Sequence, residues 1–198
     1  MYYLIFAIIF DSMKRILFTG IMSLLAVLTS FAQEQNTTPP TDKKQDMPTP
    51  PYRKNPELPA FNIQLLDSVT TVSTYNIPNG RPVVIMTFMP DCEHCQKLTE
   101  KLLEGMDTLK NILFYMQSPM ELVDIRRFAN KFHISDYKNI VIGRDKDGFC
   151  PQFYMIKFVP FLALYDKHKR LIDSYENSVE VRVLEDASKK NGMIQGVE

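Results

Sequence analysis

Apolar runs of strand length alternate with helical patterns along the C-terminal part of the chain. The run PVVIMTFM at residues 82–89 is apolar almost throughout, which is typical of a central strand covered on both faces. The segment CQKLTEKLLEGM at residues 95–106 places leucines on one helical face and ends near a glycine. The sequence predicts two further strands, FNIQLLD at residues 61–67 and NILFYMQ at residues 111–117.

Start signals predict a second helix in SPMELVDIRRFANKF, residues 118–132. Ser118 is the expected N-cap, and Pro119 suits the first turn because its missing N–H would have no partner there. Glu121 completes a capping box with Ser118. The helix is therefore predicted to begin directly after Ser118.

The remaining elements follow from the last part of the chain. CPQFYMI at residues 150–156 predicts a helix, and VPFLALYDKHKRLIDSYEN at residues 159–177 predicts a hairpin that turns at Lys167–Lys169. An amphipathic helix near residues 179–190 closes the chain. Alternation of buried strands with helices predicts the α/β class, a sandwich with helices on both faces of the sheet.

Residues 1–32 contain the layout of a secretory signal peptide. From Met13 onward a basic pair, an apolar stretch and small residues follow in order, with cleavage expected before Gln33. An extra apolar run precedes Met13, so either Met13 is the true start or residues 1–32 form an uncleaved N-terminal anchor. In both cases we expect the rest of the protein in the periplasm or secreted, in an oxidising compartment where disulfides persist.

Composition separates a polar linker from a folded domain in the rest of the chain, and it bears on whether nucleic acid is a partner. Residues 33–58 are polar and rich in proline, and such a segment buries too little apolar surface to offset the entropy of ordering. We therefore expect a disordered linker there and a single domain over residues 59–198. The 23 basic and 23 acidic residues cancel, so the charge gives no reason to expect a nucleic-acid partner.

The stretch MPDCEHCQK at residues 89–97 holds two cysteines at the predicted junction of the central strand with a helix. The unpaired N–H groups and the positive dipole end of a helix start favour a thiolate at Cys92. Cys92 is therefore the candidate nucleophile. The spacing places Cys95 one turn further on, where it can attack a mixed disulfide on Cys92 as the resolving cysteine.

The two residues between the cysteines are candidates for tuning this chemistry. A cationic His94 would stabilise the Cys92 thiolate and make the disulfide a stronger oxidant. The carboxylate of Glu93 would act against the thiolate, and Glu93 is also a candidate proton relay for Cys95.

A metal site and a structural disulfide are the alternatives to a redox pair. Structural zinc takes four clustered ligands. Besides Cys92 and Cys95, the chain has further candidate ligands, but none of them is paired at a ligand spacing: His94, His133, Cys150 and His168. The redox interpretation is favoured, and no metal is expected. Cys150 is either a buried packing residue or a third reactive thiol.

Two segments resemble the thioredoxin-fold superfamily, and within it the TlpA-like periplasmic thiol-disulfide oxidoreductases. They are RPVVIMTFMPDCEHCQKLTEKL, residues 81–102, and YMIKFVPFLALYDKHKRLIDSYEN, residues 154–177. The resemblance implies a thioredoxin-like three-layer sandwich around a central mixed β-sheet. It also implies that Pro160 is cis and faces the Cys92–Cys95 disulfide, and that the Val159 backbone binds an extended substrate chain.

The sequence departs from the family at several positions. Asp91 stands where an aromatic residue often precedes the first cysteine, and Met86 stands where thioredoxin has a buried acid. Phe158 and Phe161 flank Pro160 where smaller residues are usual. We therefore expect an apolar substrate groove formed by Phe158, Val159 and Phe161.

These observations favour an exported enzyme, a thiol-disulfide oxidoreductase that exchanges disulfides with partner proteins. No cofactor is expected besides the redox-active disulfide. A membrane thiol reductant or oxidant is the expected redox donor, and the protein itself is soluble or anchored at its N-terminus. The alternatives are a copper- or heme-handling binding protein of the same fold and a thiol peroxidase.

Overall fold

The computed structural model describes residues 49–193. Its strands are β1 (Asn62–Leu65), β2 (Thr71–Ser73), β3 (Val83–Thr87), β4 (Leu113–Ser118), β5 (Ile140–Arg144), β6 (Phe161–Tyr165) and β7 (Leu171–Glu176). Its α-helices are α1 (Pro51–Lys54), α2 (Glu93–Glu104), α3 (Met106–Leu109), α4 (Leu122–Lys131), α5 (Phe149–Phe153) and α6 (Val181–Met193). All strands and helices predicted from the sequence are present, and β2 and β5 add two short strands.

The seven strands form one mixed sheet in the order β2-β1-β5-β4-β3-β6-β7. Strands β3, β4 and β5 run parallel because helical segments return the chain between them. Strand β6 pairs antiparallel with β3, and β7 pairs antiparallel with β6 through the predicted hairpin. The strand that leads to Cys92 therefore lies in the interior of the sheet, between β4 and β6.

Alternation along β3 gives each face of the sheet its own apolar core. Val84 and Met86 belong to the first core, which α2, α4 and α6 cover with Leu98, Ile125 and Leu184. Val83 and Ile85 belong to the second core, which Tyr52 of α1, Cys150 of α5 and Tyr154 directly after α5 cover. Helices on both faces of a mixed sheet confirm the predicted three-layer α/β sandwich.

The start of the described chain corrects the predicted linker. Tyr52 in α1 is only 6% exposed, and its ring lies 5.4 Å from that of Tyr154. The N–H of Leu171 in β7 donates to the carbonyl of Pro56 at 2.7 Å. Residues 49–58 are therefore part of the domain, and a linker boundary at residue 58 is wrong, because one aromatic anchor and bonds to a strand edge offset the ordering of a short segment.

Helix α4 begins at Leu122 with Glu121 as its N-cap, so the predicted capping box at Ser118 is wrong. Ser118 is the last residue of β4 and pairs with Arg144 of β5. The strand ladder holds Ser118 in extended backbone, and tertiary pairing here overrides a local start signal. Helix α5 likewise begins at Phe149, after Gly148 at φ +61°, one residue before the predicted start at Cys150.

The predicted signal peptide, anchor and most of the predicted linker lie outside the described residues. Within residues 49–193, no helix has both the length and the apolar character needed to cross a membrane.

Candidate functional site

Cys92 is the N-cap of α2, at the carboxyl end of the central strand β3. Its own N–H donates to the carbonyl of Met89 at 3.1 Å, which turns the chain after the strand. Its sulfur accepts the N–H of Cys95 at 3.4 Å. An N-cap side chain normally satisfies one of the free N–H groups of a helix start, and here a half-buried sulfur does so.

Cys95 lies behind Cys92 and is fully buried, in the same core as Met86 and Phe88. Burial raises the pKa of the Cys95 thiol to about 12, and the neighbouring Cys92 sulfur contributes to the rise. The backbone N–H of Met89 acts in the opposite direction and lowers this pKa. The two cysteines are therefore unequal: Cys92 is half-buried, whereas Cys95 is fully buried and has a raised thiol pKa.

The turn before β6 lies against the accessible sulfur. The Val159–Pro160 peptide bond is cis, and the Cys92 thiol donates a long hydrogen bond to the Val159 carbonyl, with 3.9 Å between Sγ and O. Val159 is half-buried against the first core, and Phe158 beside it is 57% exposed. Of the three predicted substrate-binding residues, Val159 therefore lies next to Cys92, and Phe158 precedes it in the chain with its side chain exposed.

Phe161, the third predicted substrate-binding residue, does not belong to this surface. It is the first residue of β6 and only 1% exposed. Its ring lies 5.0 Å from that of Tyr154, in the second core. The prediction that Phe161 lines a groove is wrong, because strand alternation turns its side chain to the interior face opposite Cys95.

The two residues between the cysteines are both exposed. The Glu93 carboxylate pairs with Lys97 at 2.5 Å, one helical turn away. Its hydrogen bond and ion pair with Lys97 hold the pKa of Glu93 below its usual range, which makes the carboxylate a weaker base. This opposes a proton-relay role for Glu93, while the roles of Glu93 and His94 in tuning the redox pair stay predictions.

Cys150 is fully buried in the second core. Burial raises the pKa of its thiol well above the ordinary value, and the charge of Asp145 adds to the rise. Both oxygens of that carboxylate accept N–H groups at the start of α5, from Phe149 at 3.0 Å and from Cys150 at 2.8 Å. This environment fits Cys150 as a packing residue, the first of its two interpretations.

Sequence reasoning missed Gln96, the residue after Cys95. Its amide Nε2 donates to the Pro90 carbonyl at 2.8 Å, and its Oε1 accepts from Lys131 Nζ of α4 at 2.7 Å. No local pattern announces these bonds, since their partners lie six residues before and 35 residues after Gln96 in the chain. Lys131 reaches the Gln96 side chain only because α4 lies beside α2 in the folded domain.

A central mixed sheet in this strand order, covered by helices on both faces, is a thioredoxin-like architecture. No protein-family model matches the chain, and no curated protein matches it. Solved structures do match. MTB dsbF is 18% identical with a TM-score of 0.56, and the match covers 66% of this chain and 94% of that one.

Two other similar structures have the same fold. The thioredoxin domain of a thiol-disulfide oxidoreductase from Bacteroides vulgatus is 21% identical, with a TM-score of 0.54 over 68% of this chain and 94% of that one. A secreted Mycobacterium tuberculosis disulfide oxidoreductase, homologous to E. coli DsbE, is 16% identical, with a TM-score of 0.53 over 67% and 94%. The expected thioredoxin-like fold is confirmed.

Iodoacetamide is expected to modify Cys92 well before Cys95 or Cys150 in the native, reduced protein. A thiol with a pKa of about 12, as for Cys95, is ionised in only about 10⁻⁴ of molecules near pH 8. Mass spectrometry should find one adduct per native chain and three adducts in urea. Equal modification of Cys92 and Cys95 in the native protein would contradict the inequality of the two thiols.

Proposed function

We propose that this protein is an exported thiol-disulfide oxidoreductase that acts on partner proteins through Cys92 and Cys95. The observation that carries the proposal is the unequal pair at the start of α2. The Cys92 sulfur is accessible, accepts the Cys95 N–H at 3.4 Å and lies beside the Val159 carbonyl. Cys95 is fully buried and its thiol is influenced by the neighbouring Cys92 sulfur, which suits a resolving cysteine.

The first step of the proposed reaction joins the protein to its partner. The Cys92 thiolate attacks one sulfur of a partner disulfide, so a new S–S bond forms and the partner's S–S bond breaks. The displaced partner sulfur leaves as a thiolate and takes a proton from solvent. A helix start is a suitable place for the attacking sulfur, because it presents N–H groups and a positive dipole end.

The second step releases the partner. Cys95 loses its proton and attacks the Cys92 sulfur, so the Cys92–Cys95 bond forms and the partner leaves as a second thiolate. Two electrons have then passed from the cysteine pair to the partner disulfide, and the proton that Cys95 gives to solvent balances the one that the first partner thiolate takes up. The same steps in reverse would oxidise a partner dithiol, and a membrane thiol reductant or oxidant would restore the starting state.

The surface beside Cys92 supports an extended polypeptide as the substrate. The Val159 carbonyl lies at the sulfur and offers a backbone acceptor for a chain laid across the site. The exposed ring of Phe158 adjoins it and would favour an apolar side chain near the partner cysteine. Export rests on the sequence of residues 1–32, and one structure of the same fold is of a secreted disulfide oxidoreductase.

Reduction of insulin by dithiothreitol, followed as turbidity, tests the proposal, and the wild-type protein should accelerate it. Cys95→Ser keeps the nucleophile and removes the resolving thiol. Mixing this variant with insulin should therefore leave a stable covalent adduct on Cys92, which mass spectrometry detects and dithiothreitol removes.

The double variant Cys92→Ser with Cys95→Ser is the matched control and should form no adduct. Insulin reduction at the background rate together with the absence of an adduct on Cys95→Ser would contradict the proposal. Stoichiometric copper or heme in protein purified under reductant would favour the metal-handling alternative. Rapid peroxide consumption by the reduced protein would favour a thiol peroxidase.

A further inference from the structure

We infer that Gln96, held by Lys131, is a positioning residue for the resolving step. Its amide ties the turn before Cys92 to the helix start that carries Cys95. This inference rests on the proposed function, since it concerns how Cys95 becomes reactive enough to release a partner. It assigns roles in the site to Gln96 on α2 and to Lys131 on α4.

The contacts form a continuous chain from α4 to the turn that leads to Cys92. Lys131 Nζ donates to Gln96 Oε1 at 2.7 Å, which fixes the orientation of the amide. Gln96 Nε2 then donates to the Pro90 carbonyl at 2.8 Å. Pro90 lies in the turn in which the Cys92 N–H donates to the Met89 carbonyl at 3.1 Å. The amide of Gln96 therefore joins the residue after Cys95 to the turn that places Cys92.

The surroundings of Cys95 make this anchoring important. Cys95 is fully buried, and Met86 of β3 and Phe88, which directly follows β3, belong to the same apolar core. Burial raises the pKa of the Cys95 thiol to about 12, and the backbone N–H of Met89 acts in the opposite direction. The charged group that approaches from α4 is Lys131, and it does so through Gln96.

The resolving step needs an anion at this buried position. When Cys92 carries a partner through a mixed disulfide, its sulfur is no longer a thiolate and cannot accept the Cys95 N–H as strongly. Cys95 must give its proton to solvent and then attack Cys92, which expels the partner thiolate. A turn that is held in place keeps the Cys92 sulfur within reach of the buried Cys95 sulfur, which lowers the energy of this step.

Stopped-flow reaction of the reduced protein with one equivalent of dithionitrobenzoate separates the two steps. Attack by Cys92 releases a first thionitrobenzoate, and attack by Cys95 on the resulting mixed disulfide releases a second one. We expect Gln96→Leu to slow the second release about tenfold near pH 7, the effect of one lost hydrogen bond on a rate. The first release should stay within about twofold of wild type.

A pH series distinguishes positioning from a general loss of structure. The rate of the second release should rise with pH in the wild type, and the Gln96→Leu profile should be displaced to higher pH. Gln96→Glu keeps the length and the bond from Lys131 but loses the donor to Pro90, so it should resemble Gln96→Leu. Lys131→Met should act in the same direction with a smaller effect, and Lys131→Arg should restore the wild-type rate.

Glu100→Gln, a charge change at an exposed position of the same helix, is the control and should leave both releases unchanged. The inference is overturned if Gln96→Leu leaves the second release unaltered, or if it slows both releases equally without a displaced pH profile. Absence of the first release from the wild type would instead overturn the proposed function.

Discussion

Replacing Cys92 with serine is expected to reduce insulin reduction to the background rate, a loss of at least about 10³-fold relative to the wild type. A hydroxyl at the start of α2 can still accept the Cys95 N–H, so the helix cap and the fold should survive. It cannot form the mixed disulfide through which the proposed reaction passes. Turbidity of insulin with dithiothreitol measures the loss, and circular dichroism checks the fold.

Cys150→Ala is the matched control, because it removes the third thiol of the chain from a place that is buried in the second core. It should keep the activity of the wild type wherever the variant is folded, at some cost in stability. Retention of activity by Cys92→Ser, or its loss in a folded Cys150→Ala protein, would place the reactive thiol elsewhere and contradict the proposed site.

Gly143→Ala is expected to destabilise the protein by about 1–3 kcal/mol, the usual cost of adding a methyl group to a packed interior. Gly143 is in β5 and pairs with Leu65 of β1. A methyl group there would overlap the Gln64 carbonyl oxygen and lie 2.7 Å from Ile63 Cγ2. Because the obstacle includes backbone, relief requires β1 to move away from β5.

Urea unfolding of Gly143→Ala and of wild-type protein measures this difference. Gly105→Ala provides a matched control, since its new methyl group would meet the Val181 side chain at 2.7 Å. That side chain can adjust, so we expect a change within about 1 kcal/mol. Equal stabilities of Gly143→Ala and wild type would show that the β1–β5 contact is looser than the structure has it.

Much of the fold could be predicted because the signals are local. The apolar run that contains β3 is too long and too uniform for an exposed element, and it is indeed an interior strand. The leucines of α2 recur at helical spacing and face the first core. The predictions that failed concern boundaries. Ser118 carries a strong start signal for a helix, yet pairing with Arg144 keeps it in a strand.

The segment around Tyr52 shows a second kind of failure. Its composition is that of a disordered chain, since prolines and charged residues surround one aromatic side chain. The contacts that order it come from Tyr154, Phe161 and Ser174, all distant in the sequence. The composition of a segment describes only its own residues, so it cannot include packing partners that lie far away in the sequence.

The residues of the candidate site also fall into those that the sequence could predict and those that it could not. Spacing alone identified Cys92 and Cys95, and the resemblance to a known family identified Val159 and Pro160. Phe161 was assigned to the groove because it adjoins Pro160, but the alternation of β6 turns it to the opposite face. Gln96 was missed because its two hydrogen-bond partners come from the loop before α2 and from another helix.

By itself the sequence determined the α/β class, the junction of a central strand with a helix, and the two cysteines at that junction. These follow from periodicity and from short-range spacing, which a linear chain expresses directly. Only the tertiary structure decided which sulfur is accessible, that the Val159 carbonyl lies beside it, and that Lys131 reaches Gln96. Burial and contacts between distant segments depend on how the layers pack, and packing acts on all residues of the domain at once.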